Sequence, residues 1–192
     1  MLHAVSIAVV LQLSNLSGAP ASVVSSAQAD VVRVYSAAGV SLHWSPVALP
    51  ADVRAIHVVL LPRETGDLRH TSDVVMGAAV WTPQGTGTAY LYYRRIEEQA
   101  ALHGATPERV LAYAMAHELG HLLGTRGHSA TGVMRACWRH AEFRQAAEGL
   151  LGFSSKDVAI LQALDHTSGS GVDRTLLSRD LASDLSSPVR DR

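Results

Sequence analysis

The hydrophobic positions near the start of the chain change from a period of two to a period of three to four residues. Val5, Ile7, Val9 and Leu11 alternate with their neighbours, as residues do in a β-strand. After a turn marked by glycine and proline, apolar residues recur at three- and four-residue steps, which indicates an amphipathic helix. The apolar positions of this helix are Val23, Val24, Ala27, Val31, Val34 and Tyr35, and Gly39 is its predicted stop.

The same N-terminal residues also have features of a secretory signal. The apolar run Ala4–Leu13 is followed by a small-residue exit at Ala27-Gln28-Ala29. No lysine or arginine precedes that run, however, and the first basic residue is Arg33. We favour folded chain over a signal, because a strand followed by a helix can pack together. No run in the sequence reaches the ~20 apolar residues that span a bilayer.

Beyond the first helix the pattern predicts four more strands and then only helices. One strand is an almost continuous apolar run, which is typical of a strand covered on both faces. The last strand is rich in tyrosine, which favours a pleated surface. This order indicates an α+β domain with a mixed sheet of about five strands. The four strands are Val40–Trp44, Arg54–Leu61, Val74–Trp81 and Thr88–Ile96.

The next helix has clear start and stop signals and carries two histidines. Thr106-Pro107-Glu108 combines an N-cap hydroxyl, a proline at the first helical position and an acid in the first turn. Gly124 provides the stop. His117 and His121 lie four residues apart, so at ~100° per residue their side chains are about 40° apart on one face. Both imidazoles can therefore reach a single metal ion.

The residues around these histidines suit a catalytic zinc site. Glu118 lies beside them but is angled away from direct ligation, a position that suits a carboxylate taking a proton from zinc-activated water. The same carboxyl can then protonate a leaving amine. A single buried histidine is more often a core residue than a ligand. Here a third histidine, His128, follows the helix stop, and this clustering indicates a metal site.

The segment from Ala116 to Met134 resembles the metzincin clan of zinc endopeptidases, whose pattern is His-Glu-x-x-His-x-x-Gly-x-x-His followed by a methionine turn. His128-Ser129 and the nearby Gly-x-Met are most similar to the matrixin branch. Phe153–Gln162 is similar to the C-terminal helix of matrixins, and Ser154 with Asp157 forms nearly a capping box at its start. Its predicted buried stripe is Val158, Leu161 and Leu164. The matching motif residues are His117, Glu118, His121, Gly124, His128 and Gly132-Val133-Met134.

This resemblance implies a metzincin-like fold, in which a twisted mixed sheet carries a backing helix, an active-site helix and a C-terminal helix. It implies one catalytic zinc ion, with Glu118 as general base and acid. Met134 is implied to lie beneath the metal as a hydrophobic base and not as a ligand. The strand Val74–Trp81 is implied to form the rim of the cleft and to pair with an extended peptide. The implied zinc ligands are His117, His121 and His128.

The third histidine departs from the family pattern, because it comes one residue late and Gly127 occupies its usual place. Thr125-Arg126-Gly127 must bulge for His128 to be a ligand, and we expect Gly127 to supply the backbone freedom. The competitor is Glu142, 21 residues after His121 on a predicted helix, which would give a two-histidine, one-glutamate site. We prefer His128, because a Glu142 site leaves that histidine without a role.

Composition limits the size and the partners of the protein. The chain has 192 residues, of which 47% are hydrophobic and 17% charged, which suits one globular domain. We predict this domain over 1–165, where the resemblance implies a zinc peptidase, and a flexible tail over 166–192, where the sequence turns polar and rich in glycine and serine. A formal net charge of −1 gives no reason to expect nucleic acid as a partner. Cys137, the single cysteine, excludes an intrachain disulfide, and we expect it to be packed. We expect a monomer, and the resemblance favours a secreted or periplasmic location.

The leading hypothesis is a zinc-dependent endopeptidase that acts on a peptide or protein substrate. One alternative is a catalytically inactive zinc-containing module that binds a peptide. Another is a zinc hydrolase with the two-histidine, one-glutamate site, and a third is a zinc hydrolase acting on a non-peptide amide. The presence of Glu118 argues against the inactive module, because a structural zinc site has no use for a base and usually closes with a fourth protein ligand.

Overall fold

The computed structural model describes residues 9–47, 55–65, 75–81 and 87–167, with side chains as far as residue 163. These residues form five strands and five helices. The strands are β1 (Val9–Asn15), β2 (Leu42–Trp44), β3 (Ile56–Leu61), β4 (Gly77–Trp81) and β5 (Gly87–Tyr92). The helices are α1 (Ala21–Ala37), α2 (Tyr93–His103), α3 (Pro107–Leu122), α4 (His140–Ala147) and α5 (Ser155–Thr167).

The five strands form one mixed sheet in the order β2-β1-β3-β5-β4. Four of them are parallel, and only β4 runs antiparallel to its neighbour β5. No residue of the central strand β3 is exposed, in keeping with its almost continuous apolar sequence. β4 lies at the edge of the sheet, with Gly77 opposite Leu91 and Trp81 opposite Gly87. The predicted α+β class with a five-stranded mixed sheet is confirmed.

Helix α3 is the central element of the helical layer. Eleven of its sixteen residues are buried, and it packs against α1 and α2 as well as against β4 and β5. The buried hydroxyl of Tyr35 on α1 donates a 2.8 Å hydrogen bond to the carbonyl of Ala116, the residue before His117. Leaving such a hydroxyl unpaired would cost free energy, so this bond fixes α1 on α3. The helix that carries the histidines is therefore held on several sides.

The strand predicted over Thr88–Ile96 is wrong in its second half. β5 ends at Tyr92, and α2 then runs to a left-handed C-cap at Gly104 with φ 67°. The tyrosines of this region favour a strand locally. Apolar residues nevertheless recur with a helical period once the window extends beyond the tyrosines, and burying them decides the structure. The buried face of α2 consists of Tyr93, Ile96 and Ala100.

The predicted ends of α1 and α3 agree with the structure except at one cap. Gly39 follows α1 with φ 81°, and Gly124 follows α3 with φ 106°. Pro107 is the first residue of α3, as predicted. The side chain of Thr106 makes no capping hydrogen bond, however. Instead its carbonyl accepts hydrogen bonds from the backbone of the first helical turn, so the proposed hydroxyl cap is wrong.

The C-terminal helix α5 begins at the predicted capping residues. The Ser154 hydroxyl donates to Asp157 Oδ2 at 2.6 Å, and the Asp157 amide donates back to the Ser154 hydroxyl at 3.3 Å. Leu161 is buried and Val158 half-buried, while the side chain of Leu164 lies outside the described residues. Residues 1–8, which include Val5 and Ile7 of the predicted first strand, and the predicted tail beyond residue 167 also lie outside the described residues. Within the described ranges, no helix is both long and apolar enough to cross a membrane.

Candidate metal centre

Two histidine rings meet near the C-terminal end of α3. The Nε2 atoms of His117 and His121 are 3.2 Å apart, and the two rings are nearly perpendicular, at 81°. The spacing of four residues places both side chains on one face of the helix, one turn apart. The arrangement thus follows from local helix geometry.

The other nitrogen of each ring is bound to the backbone. His117 Nδ1 lies 2.7 Å from the Val133 carbonyl oxygen, and His121 Nδ1 lies 2.8 Å from the Thr125 carbonyl oxygen. A carbonyl oxygen can only accept, so in each neutral ring Nδ1 carries the proton and Nε2 keeps its lone pair. Two lone pairs that face each other at this distance repel unless a cation lies between them.

Both rings are held in the neutral form. Burial lowers the pKa of His117 to about 4, against the opposing effect of its hydrogen bond to Val133. Burial also lowers the pKa of His121, and the nearby His128 adds to this effect. A proton is therefore not the cation that these two rings share at neutral pH. Neutral imidazole is also the form that binds a metal ion.

His128 joins the pair from the segment after α3. Its ring centroid lies 5.4 Å from that of His117 and 5.0 Å from that of His121. One ligand nitrogen from each of the three residues lies within 4.8 Å of the others. Nitrogens bound to a tetrahedral zinc ion are roughly 3.3 Å apart, so the first pair already fits. The His128 nitrogen lies within 4.8 Å of the other two and would have to move closer to them, and its exposed ring is free to do so. The three histidines therefore fit a zinc ion.

The extra residue before His128 is accommodated without a left-handed conformation at Gly127. The chain reverses at Gly124, where φ is 106°, and the Thr125 amide donates to the Gly120 carbonyl at 3.0 Å. Gly127 has no positive φ, and a β-carbon added there would meet no atom within 4 Å. The expectation that Gly127 supplies the backbone freedom is therefore wrong. An insertion in an open turn needs space, and this turn has it.

Glu118 lies between α3 and the edge strand of the sheet. Its side chain is only 8% exposed. A β-carbon added to Gly77 on β4 would lie 2.8 Å from Glu118 Cγ and 2.9 Å from Oε1. Burial raises the pKa of Glu118 to about 8. A carboxyl whose pKa lies near neutrality can both hold and release a proton in a reaction.

The predicted site does not include Gly77, although the sequence contains a signal for it. A glycine inside a strand weakens the strand, and it often marks a position where another group approaches closely. Gly77 is such a position, because the space that its missing side chain leaves is taken by the carboxylate of Glu118.

The segment around Met134 packs against α3 and binds the ring of His117. Met134 is fully buried, and a β-carbon added to Gly120 would contact its sulfur atom. The Val133 carbonyl that binds the first histidine also accepts a 3.2 Å hydrogen bond from Trp138 Nε1. The Val133 amide donates to the Gly152 carbonyl at 2.9 Å. This turn is therefore fixed to the helix, to the following aromatic residue and to the segment before α5.

The prediction that Cys137 is packed is wrong, because the residue is exposed. It lies in the connection between the Met134 turn and α4. Its neighbour Trp138 takes the covered position there, half-buried and hydrogen-bonded to the turn.

Glu142, the alternative ligand, is engaged elsewhere. It is buried at the start of α4, where Oε1 accepts a 2.8 Å hydrogen bond from Arg135 and Oε2 accepts one of 2.9 Å from the Arg139 amide. Burial acts to raise its pKa, but the hydrogen bonds from the Arg139 backbone and from Arg135 outweigh it and lower the pKa. Glu142 is not part of the group of potential metal ligands that contains the histidines. The structure thus gives no support to a two-histidine, one-glutamate site.

The chain has a structural neighbour among solved proteins but no match among protein families. The sequence matches no protein-family model and no curated protein. Among solved structures, the chain is similar to the crystal structure of metalloproteinase-II from Bacteroides fragilis, with 11% sequence identity and a TM-score of 0.47. The match covers 83% of this chain and 54% of that one, so the chain spans about half the length of this neighbour. Function has to be inferred from the residues of the site.

Proposed function

We propose that the protein is a zinc-dependent endopeptidase of the metzincin type, most similar to the matrixins. The observation that carries this proposal is the pair of unprotonated Nε2 atoms of His117 and His121, which face each other at 3.2 Å with His128 beside them. Imidazole nitrogens are common ligands of zinc, and three protein ligands leave the open position that a catalytic zinc needs. A structural zinc site would close with a fourth protein ligand, and the described residues group only these three histidines.

Glu118 supplies the acid–base function in this proposal. When bound, zinc supplies Lewis acidity that polarises a peptide carbonyl and acidifies a water molecule. The Glu118 carboxylate accepts a proton from water as the new C–O bond forms, and it delivers that proton to the amide nitrogen as the C–N bond breaks. The products are a carboxyl group and an amine. The burial of Glu118 supports this role, because its low exposure limits proton exchange with bulk water.

The position of β4 favours an extended peptide as the substrate. Within the described sheet β4 is an edge strand, and an edge strand offers backbone N–H and C=O groups to a further strand. Val80 and Trp81 near its end are 37% and 44% exposed. Because Gly77 of the same strand contacts Glu118, a peptide paired with β4 would pass the acid–base group. A small non-peptide amide would make no use of this edge.

The test combines zinc content with hydrolysis. We expect about one zinc ion per chain in the wild type and in His140→Ala, a control at an exposed histidine on α4, but loss of zinc in His128→Ala after dialysis against a mild chelator. Glu118→Gln should keep its zinc and lose about 10²- to 10⁴-fold of the hydrolysis of a peptide library followed by mass spectrometry. A wild type without zinc, or a fully active Glu118→Gln, would contradict the proposal.

A further inference from the structure

The carboxylate of Asp157 on α5 is buried and connects two parts of the molecule. Asp157 as a whole is only 2% exposed. Oδ2 accepts hydrogen bonds from the Ser154 hydroxyl at 2.6 Å and from the Ser154 amide at 3.2 Å, which caps the helix. Oδ1 accepts a 2.7 Å hydrogen bond from the hydroxyl of Ser129, a residue 28 positions earlier in the chain. One oxygen thus serves the helix start, and the other reaches the segment of the third histidine.

Ser129 is fixed from two sides. Its hydroxyl is bound to Asp157, and its backbone amide donates a 2.8 Å hydrogen bond to the Met134 carbonyl. Ser129 also forms an isolated bridge with Arg135, so it lies against the segment around Met134. It directly follows His128 in the chain. The backbone position of the third histidine is therefore set by these contacts.

His128 needs such support more than the other two histidines do. His117 and His121 are held by helix α3 and by hydrogen bonds from Nδ1 to backbone carbonyls. His128 is exposed, and its ring contacts in the described part of the chain are those with the rings of His117 and His121, without a hydrogen bond to either ring nitrogen. The turn before it is one residue longer than in the family pattern, and the space around Gly127 is open. The position of His128 therefore depends on the contacts of the residue that follows it.

We propose that Ser129 and Asp157 are positioning residues for the metal centre, and that they hold His128 at ligand distance from the other two histidines. Neither residue is a ligand. This inference rests on the proposed zinc site. Groups behind a metal ligand orient it, and their removal typically weakens metal binding by about 10- to 100-fold. Here the restraint acts through the backbone and from a separate helix, since no hydrogen bond to the ring provides it within the described residues.

The two oxygens of Asp157 allow matched variants. Ser129→Ala removes the bond to Oδ1 and leaves the helix cap intact, whereas Ser154→Ala removes the hydroxyl bond to Oδ2 and leaves Ser129 bound. Zinc affinity is measured by competition with a chromophoric chelator, and the melting temperature is measured on the metal-free proteins. Ser129→Ala should weaken zinc binding by about 10- to 100-fold. It should also lower the melting temperature of the metal-free protein, because Oδ1 of a buried carboxylate loses its hydrogen-bond donor. Ser154→Ala should lower the melting temperature and leave zinc affinity within about threefold.

Two further variants test whether Ser129 acts on zinc affinity through its hydroxyl and through His128. Ser129→Thr keeps a hydroxyl, so its zinc affinity should stay near the wild-type value. In a His128→Ala background, Ser129→Ala should have no additional effect on the remaining zinc affinity, because the residue it positions is gone. Equal zinc affinity in wild type and Ser129→Ala would overturn the inference while the proposed function stands. An additive effect in the His128→Ala background would overturn it too, and a wild type that binds no zinc would overturn both.

Discussion

Gly77 on the edge strand and Glu118 on the central helix are packed so closely that no side chain fits between them. A β-carbon at position 77 would come within 2.9 Å of Oε1 of the carboxylate and within 2.7 Å of the Tyr90 carbonyl oxygen. Contacts this short force a neighbour to move, and the backbone of β5 has little freedom to do so. The absence of a side chain at one residue of β4 thus decides where the proposed general base can lie.

Gly77→Ala should displace Glu118 and disturb the strand. We expect a loss of about 1–3 kcal/mol in the free energy of unfolding and at least a tenfold loss of peptide hydrolysis, with zinc content unchanged. Urea unfolding, peptide assays and metal analysis check this. Gly87→Ala is the matched control, since a β-carbon there would press on the flexible side chain of Leu122 instead of the carboxylate. Full activity in Gly77→Ala would show that the contact does not position Glu118.

The protonation of Glu118 should make the metal-free protein less stable as the pH rises towards 8. Glu118 has a pKa of about 8 in the folded chain against an ordinary value of 4.5, so between these values the folded state keeps a proton that the unfolded state has released. Stability therefore falls as the pH rises through this window, by at most about 1.4 kcal/mol per pH unit. His117, with a pKa of about 4 against 6.5, has the opposite effect, since stability falls as the pH drops through its window.

Above pH 6.5 only the Glu118 effect remains of these two. Urea unfolding of the chelator-treated protein should give about 1.6 kcal/mol less stability at pH 8 than at pH 6.5. Glu118→Gln should show no such loss, because a glutamine does not titrate. An equal slope in both proteins would mean that the carboxyl is ionised throughout this range.

Two glycines near the third histidine should differ sharply in their tolerance of a methyl group. Gly127→Ala should leave zinc content unchanged and alter the free energy of unfolding by less than about 1 kcal/mol, because its φ is not positive and the added carbon meets nothing. Gly132 has φ 79°, and its added carbon would lie 2.5 Å from the Gly152 carbonyl oxygen. Gly132→Ala should therefore cost about 2 kcal/mol or more. Equal melting temperatures for the two variants would contradict this prediction.

Replacing Glu142 separates the two candidate ligand sets. Glu142→Ala removes the acceptor for Arg135 and for the Arg139 amide, so we expect it to lower the free energy of unfolding by about 1–3 kcal/mol. Zinc content measured on the folded variant should equal that of the wild type. Loss of zinc, with His128→Ala retaining it, would instead support the two-histidine, one-glutamate site.

The parts of this protein that could be predicted from sequence are those determined locally. Two histidines four residues apart on a helix share a face, and a glycine just after the last residue of a helical pattern is a common helix stop, as at Gly39 and Gly124. The start of α2 could not be predicted locally, because Tyr92 at the end of β5 and Tyr93 at the start of α2 both favour a strand, and only the burial of later positions decides for a helix. Local patterns are weakest where strand and helix preferences overlap.

Contacts between residues distant in sequence also escaped prediction. No periodicity connects Ser129 with Asp157, or Gly77 with Glu118, because the sheet order and the path of the turn bring them together. The expected role of Gly127 is wrong for a related reason. Residue type showed that a glycine was present, but only the backbone shows that Gly124 makes the reversal.

The edge position of β4 has a consequence for the way the site responds to substrate. In the described sheet this five-residue strand is joined to one neighbour only, whereas His117 and His121 are held by α3 and by hydrogen bonds to backbone carbonyls. Short edge strands open locally more often than central ones, so the amides of Gly77–Trp81 should exchange with deuterium sooner than those of β3. A peptide that paired with β4 would turn it from an edge into an interior strand. Binding would then suppress this opening and hold β4 more firmly against Glu118, so in the proposed peptidase the substrate would help to complete the active site.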